Sequence, residues 1–468
     1  MLFNSLQFVY FLPAVLVLYF LTPDRFRWIV LLIASYYFYM SWNVNYVFLI
    51  LFTTVVSYVS AIGIVRSENQ DVRKALLIIS VSASLGVLFF YKYFNFFSDS
   101  VNTILSTVAM DFRMPYFKLL LPVGISFYTF QTLSYTIDVY YGKKSVENHF
   151  GIYALYVSFF PQLVAGPIER STRLLPQFRE RHRFSWDNFV KGGKWIISGF
   201  FMKLVVADRL SLYVDSVYGN VLQHSGLTFI VATLFFSFQI YCDFAGYSAI
   251  AIGTARLMGY DLMINFRRPY FATSIGDFWH RWHISLSTWF RDYFYIPMGG
   301  SRVKVPRWYL NLFLTFLVSG LWHGANWTFV IWGALHGIYI IIENFFRLAV
   351  GKDQTISIWN RLTRVFIVFV LATFAWIFFR ADHVTHAFYI VYKLFDFSSL
   401  YLDYNTFFYG LIGLGLLLLF DLVNERFPGY GMLDNKINMP LVLIYLFLLV
   451  VTLSIGVFNG GQFIYFQF

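Results

Sequence analysis

The 468-residue chain has one cysteine, Cys242, and little charge: 13% of its residues are Asp, Glu, Lys or Arg. A lone thiol excludes a disulfide framework. A soluble domain carries about 25% charged residues, so this deficit excludes an ordinary soluble enzyme. There is no G-x-S-x-G, H-E-x-x-H or Walker A motif, which removes the serine elbow, the zinc-peptidase helix and the phosphate loop. No basic–aromatic soluble module is visible, so nucleic acid is not an expected partner. The short alternating segments of an outer-membrane barrel are missing as well. The first apolar run, Phe8–Leu21, has no basic stretch before it and no small-residue cleavage site after it. It reads as a membrane helix rather than a cleaved leader.

What is present is hydrophobic residues, 59% of the chain. They form apolar runs near 8–21, 27–40, 44–65, 75–94, 118–139, 150–165, 192–216, 227–257, 308–321, 326–349, 361–379, 383–395, 406–423 and 439–458. Runs of about 17–25 residues cross the hydrocarbon as helices, because unpaired backbone groups are too costly in lipid. The expectation is an all-α polytopic membrane protein, one domain over 1–468, with about eleven spans and further re-entrant or interfacial segments.

Basic loops set the sidedness. Arg25 and Arg27, then Arg66, Arg73 and Lys74, place two loops in the cytoplasm and the N-terminus outside. Lys143 and Lys144 return inside. The arginine-rich stretch "ERSTRLLPQFRERHRF" after 150–165 belongs inside too, so 150–165 should enter and leave on one side, helped by Pro161, Gly166 and Pro167. Re-entrant backbone needs protein or water around it, which implies a cavity nearby. The net charge of +11 reads first as Lys and Arg anchoring loops to anionic membrane lipid. The sharper alternative is that some of them hold an anionic substrate.

The densest polar region is "SIGDFWHRWHISLSTWFRDYFYIPMGGSR", Ser274–Arg302. On one helix Asp277, His280, His283 (or Ile284), Ser287 and Arg291 recur at three- and four-residue spacing as a polar stripe. Trp279, Trp282, Leu286, Trp289 and Tyr293 take the other face. Such a helix lies at a membrane interface or walls a polar cavity. Two histidines three apart, here and again at His383 and His386, are a weak metal signal without a third ligand at fixed spacing, so no metal is expected. Cys242 beside Asp243 reads as inert packing. Asp138, Asp243 and Glu343 stand in apolar surroundings and need partners; Glu343 alternatively ends a helix beside Arg347. Gly410, Gly413 and Gly415 read as close helix packing.

The stretch "SGLWHGANWTFVIWGALHG", Ser319–Gly337, holds His323 and His336. On one straight helix thirteen residues give about 20 Å of rise and roughly 140° of rotation, too much for one small site. Gly320, Gly324 and Asn326 supply a break around His323. Gly333 and Gly337 flank His336 on one face and suit tight helix contact. Geometry therefore favours His323 for chemistry and leaves His336 as a packed, satisfied residue. A buried neutral imidazole takes a proton from an alcohol and later releases it. With a thioester donor that directs a hydroxyl onto the acyl carbonyl, and a second polar group, for which His283 is available, stabilises the oxyanion.

Five stretches now matter together: "LFNSLQFVYFLPAVLVLYF", "QTLSYTIDVYYGK" (Gln131–Lys143), "SFFPQLVAGPIER" (Ser158–Arg170), and "DFAGYSAIAIGTARLMGYDLMINFRRPYFATSIGDFWHRWHISLSTWFRDYFYIPMGGSR" followed by "GLWHGANWTFVIWGALHG". The chain resembles the membrane-bound O-acyltransferase family over essentially its whole length, most closely the bacterial alginate O-acetyltransferase branch. The resemblance implies a ring of tilted helices around a thinned centre with a central tunnel. It implies that His323, in the "WHG" motif, is catalytic, and that His283, in the "RWHxSLSxWFRD" pattern, is the second active-site residue. Asp277, His280, Ser287, Arg291, Asn326 and His336 are supporting polar candidates. The implied donor is cytoplasmic acetyl-CoA, the acceptor a polysaccharide (alginate-like, cellulose or peptidoglycan), the partner an extracytoplasmic SGNH-type acetyltransferase, and the location the bacterial inner membrane. The related branch that D-alanylates teichoic acid shares the histidine motifs and stays open. So do two other classes: a transporter, which the lack of a second inverted half weakens, and a scaffold that only recruits an enzyme.

Overall fold

The computed structural model describes residues 1–108, 112–118, 120–164, 166–350, 357–398, 400–426, 439–458 and 463–464. Every regular element among them is helical, with no strand. Among the described residues six helices are long and apolar enough to cross a membrane: Tyr46–Arg66, Gln70–Thr107, Gly226–Leu257, Trp327–Phe346, Ile358–Arg380 and Tyr404–Arg426. Leu6–Leu21 and Met439–Ile455 are shorter apolar helices. The outward faces are as greasy as the packed ones. On Leu6–Leu21, residues Phe8, Phe11, Val15 and Tyr19 are buried while Leu6, Val9, Val17, Leu18 and Leu21 are exposed. Continuous exposed apolar surface suits lipid, not water. The chain is a multi-pass membrane protein.

Two compact units divide the chain. The first is Met1–Gly192 with Ala251–Met263; the second is Gly193–Ile250 with Ile264–Phe468.

In the first unit, hydroxyls line the helix contacts of Tyr46–Arg66, where Thr53, Thr54, Ser57 and Ser60 are buried. Small side chains allow close approach, and their hydroxyls are satisfied locally, Thr54 donating to the Ile50 carbonyl at 2.6 Å. Ser57 also meets the Tyr153 hydroxyl at 2.6 Å. The run 150–165 forms two short helices, Phe150–Ser158 and Phe160–Leu163, of nine and four residues. Nine residues rise about 14 Å, less than half of a hydrocarbon core of about 30 Å. The break at Phe159 is covered by protein: the Phe160 N–H donates to Ser35 Oγ at 3.0 Å, and Gln162 Nε2 donates to the Tyr156 carbonyl at 2.8 Å. Backbone and side-chain polar groups at the break are thus met by protein. Beyond it, Arg173 and Arg256 each pair with Asp261 at 2.5 Å, and Arg179 pairs with Glu147. Arg173 and Arg179 are thus already matched to carboxylates.

In the second unit, Val305–His323 and Trp327–Val350 form a tight hairpin through glycine. A Cβ on Gly320 would stand 2.3 Å from the Phe329 carbonyl oxygen, and one on Gly333 2.4 Å from that of Phe316. Gly413 is equally needed, 2.9 Å from the Val205 carbonyl, but Gly415 faces open space. Packing therefore accounts for Gly413 and not for Gly415. The buried Asp243 has its partner: Lys203 Nζ donates to Asp243 at 2.5 Å and to Asp208 at 2.7 Å, and the Ile464 N–H donates to Asp243 at 2.7 Å. One ammonium faces two carboxylates here, and its hydrogen bonds to both, with the Ile464 N–H, offset the cost of their burial. Cys242 is buried and free, as expected of packing.

Candidate active site

Ser274 starts the site's first helix by accepting the Asp277 N–H on its side chain at 3.0 Å. The helix runs only Ile275–Arg281, and a second begins at Ile284–Phe290. Between them His283 has φ 42° and ψ 55°, left-handed for a non-glycine residue. Such conformations cost about 1–3 kcal/mol and persist only where surroundings hold them. Asn265 does the holding. Its backbone carbonyl accepts the Ile284 N–H at 2.9 Å. Its side-chain Oδ1 faces His283 Nδ1 at 3.1 Å, the Ser285 N–H at 3.2 Å and Ser285 Oγ at 3.0 Å.

The break reorients the predicted stripe. The sequence leaves a choice between His283 and Ile284 for the polar face, and the turn gives it to Ile284. A cavity of 580 Å³ is walled by His280, Ile284, Ser287 and Arg291, with Ser319, Glu343 and Asn344 across from them. His283 is turned away from this wall into the core, fully buried, with Phe244 edge-on at 4.5 Å and Phe266 stacked at 6.2 Å.

His323 is the last residue of Val305–His323 and is buried. Gly324 and Asn326 make the expected break. A Cβ at Gly324 would strike the Phe329 ring at 2.1 Å. Asn326 Oδ1 accepts the Thr328 N–H at 3.0 Å, and its Nδ2 donates to the Asp382 carbonyl at 2.8 Å. Asn326 thus serves the turn. The His323 ring stands edge-on to Trp322 and Trp332, 5.0 Å from each, and to Phe379 at 5.4 Å. A further neighbour is His283, with ring centroids 6.4 Å apart and planes at 58°. The fold brings together two imidazoles separated by forty residues.

The remaining candidates lie elsewhere. Asp277 accepts the Thr273 N–H at 3.1 Å and Arg281 Nε at 2.9 Å, and Arg281 continues to Glu425 at 3.1 Å. Asp277 is a capping and pairing residue, off the cavity wall. Arg291 pairs with Asp292 at 2.8 Å. Glu343 Oε2 accepts the Ile275 and Gly276 N–H groups at 2.5 and 3.2 Å; the side chain of Arg347, its expected neighbour, lies outside the described residues. His336 is separated from His323 by Trp332, which is 5.0 Å from one ring and 4.9 Å from the other. Among the described residues no group of three His, Cys, Asp or Glu is placed to hold a metal ion. Sequence reasoning missed Asn265. No spacing rule connects positions 265 and 283, although both fall within one motif-bearing stretch.

The family model of membrane-bound O-acyltransferases matches residues 148–381, a span that holds Asn265, His283, His323 and the supporting candidates. The chain is 41% identical over 406 residues to the probable alginate O-acetylase AlgI of Pseudomonas aeruginosa, covering 85% of this chain and 76% of that protein. It is 35% identical over 421 residues to the peptidoglycan O-acetyltransferase of Helicobacter pylori, covering 83% and 78%. It is 28% identical over 291 residues to the teichoic acid D-alanyltransferase of Bacillus subtilis, covering 56% and 70%.

Proposed function

The chain belongs to the membrane-bound O-acyltransferase family and is an acyltransferase, and from that premise we propose that it takes an acetyl group from cytoplasmic acetyl-CoA and passes it across a bacterial inner membrane for O-acetylation of an extracytoplasmic polysaccharide. The observation that carries this reading is the pair His283 and His323, 6.4 Å apart in an aromatic pocket. Two relatives that match more than four-fifths of the chain carry O-acetylation in their names; the D-alanyl relative is more distant and covers less.

A buried, uncharged imidazole suits the chemistry. His323 takes the proton of a hydroxyl as its oxygen adds to the thioester carbonyl, so that a C–O bond forms. Collapse of the tetrahedral adduct breaks the C–S bond, and the proton goes to the leaving sulfur. The aromatic walls keep water from competing and strengthen every polar contact inside. His283 is the second active-site residue across the gap. An extracytoplasmic SGNH-type acetyltransferase receives the acetyl group and completes delivery to the polysaccharide.

The test is His323→Ala in cells, with O-acetyl groups on surface glycan measured and membrane insertion checked in parallel. Acetylation should be abolished while the protein inserts normally, and His283→Ala should be impaired. Normal glycan acetylation by an inserted His323→Ala protein would remove His323 from the chemistry. O-linked D-alanine in place of acetate would shift the reading to the D-alanylating branch.

A further inference from the structure

The side chain of Asn265 is anchored at both ends. Oδ1 accepts the Ser285 backbone N–H at 3.2 Å, and Nδ2 donates to Ser248 Oγ at 3.2 Å. A flipped amide would set its NH2 against the Ser285 N–H, donor against donor, which a buried site does not tolerate. The atom facing His283 Nδ1 at 3.1 Å is therefore the amide oxygen, which only accepts. An acceptor there requires a hydrogen on Nδ1. A neutral imidazole carries one hydrogen, so the opposite nitrogen bears the lone pair.

We propose that Asn265 is a positioning residue that holds His283 as the Nδ1–H tautomer and presents Nε2 as a hydrogen-bond acceptor to the group lying between the two histidines. The inference rests on the acyl-transfer reading above and sharpens it. In this tautomer neutral His283 cannot donate from Nε2 to an oxyanion. It accepts from a donor instead, and the donor in this reaction is the hydroxyl or thiol that carries the mobile proton. The same asparagine holds the left-handed turn at His283, so the tautomer and the direction of the ring come from one side chain. Rings packed around His283 include Phe244, Phe266, Trp322 and His323. His323 is the titratable one among these four.

The experiment uses the full chain in inverted membrane vesicles supplied with acetyl-CoA, with release of the CoA thiol followed against pH. Asn265→Asp keeps an acceptor at the same place but makes it anionic, which favours the imidazolium form of His283. The acid limb of its pH–rate profile should move to higher pH by about one unit or more, with activity recovering above it. Asn265→Leu should lose about 10- to 100-fold in kcat, the range for removing a group that orients a functional ligand, with KM for acetyl-CoA little changed. An Asp variant whose profile superimposes on the wild type, or never recovers, overturns the proposal. A second readout is independent of activity. In 15N-histidine-labelled protein the His283 signals, identified by their loss in His283→Ala, should show a protonated Nδ1 and an unprotonated Nε2. The opposite tautomer overturns the proposal even if acetyl transfer stands. Wild-type vesicles that release no more thiol than vesicles lacking the chain, with the expected tautomer present, would instead sink the acetyl-CoA reading alone.

Discussion

His283 and His323 face each other with ring centroids 6.4 Å apart and planes at 58°. At that separation the two rings can act on one small group. Each ring is brought there by a break in a helix. His283 sits in the turn between Ile275–Arg281 and Ile284–Phe290; His323 ends Val305–His323 just before a glycine that an Ala side chain could not replace. Both histidines therefore meet in a pocket that neither helix, if continuous, would form.

His336 should prove to be a packing residue. Its ring is stacked on Phe278 with planes 7° apart, and stands edge-on to Trp279 at 5.0 Å and Trp332 at 4.9 Å. Neither ring nitrogen has a hydrogen-bond partner among the described residues. A phenylalanine there forfeits no hydrogen bond and keeps the volume. His336→Phe should change stability by less than about 1.5 kcal/mol, the range for volume-conserving swaps, and glycan acetylation should continue. His336→Ala should cost about 3–5 kcal/mol through the cavity it opens. An inserted, thermally stable His336→Phe protein that loses acetylation as His323→Ala does would give His336 a polar role.

The glycine hairpin should control the site without touching chemistry. Gly320→Ala and Gly333→Ala push a methyl against backbone carbonyls at 2.3 and 2.4 Å, and backbone cannot swing aside. Each should cost about 1–3 kcal/mol as overpacking and displace His323 with its helix. The thermal midpoint in detergent and the acetylation level should fall together. Gly415→Ala is the control: its Cβ meets nothing within 4 Å, and alanine favours helix by about 1 kcal/mol. Equal losses at Gly320 and Gly415 would mean that helix contact is not the cause.

The helical character was legible because lipid leaves a chain this apolar little other choice. The break after His323 was legible as well, since Gly324 and Asn326 sit where a helix would have to stop. The turn at His283 was not. A continuous helix through Ser274–Arg302 fits the spacing, and His283 and Ile284 differ by only about 100° around it. What decides between them is Asn265, eighteen positions away, through bonds that local periodicity does not register. The pairing of His283 with His323 was hidden for the same reason: forty residues intervene, and only the family resemblance joined them. The cavity wall was half legible. His280, Ser287 and Arg291 lie on it, while Asp277, from the same stripe, is spent on its own helix start and on Arg281.

Glu169 should make the protein's stability fall with rising pH. It lies in the loop after the broken helix pair, fully buried, with Oε1 accepting the Met263 N–H and its backbone carbonyl accepting the Tyr156 hydroxyl at 3.0 Å. Burial pushes its carboxyl up from an ordinary 4.5 to about 7, against the lowering effects of the Met263 N–H and Arg173. The folded protein thus holds a proton that the unfolded chain releases near 4.5. Between about 4.5 and about 7 the unfolded state binds fewer protons, so stability declines as pH rises, and it levels off above the folded value. The contribution is complete below about 4.5 and lost on passing through about 7. Glu169→Gln keeps the acceptor for Met263 and cannot ionise. Its thermal midpoint in detergent should match the wild type near pH 5 and exceed it at pH 8, with a flatter curve between. Parallel curves for the two proteins across that range would show that the Glu169 carboxyl is ionised in the folded state throughout, and that the Arg173 and Met263 contacts outweigh its burial.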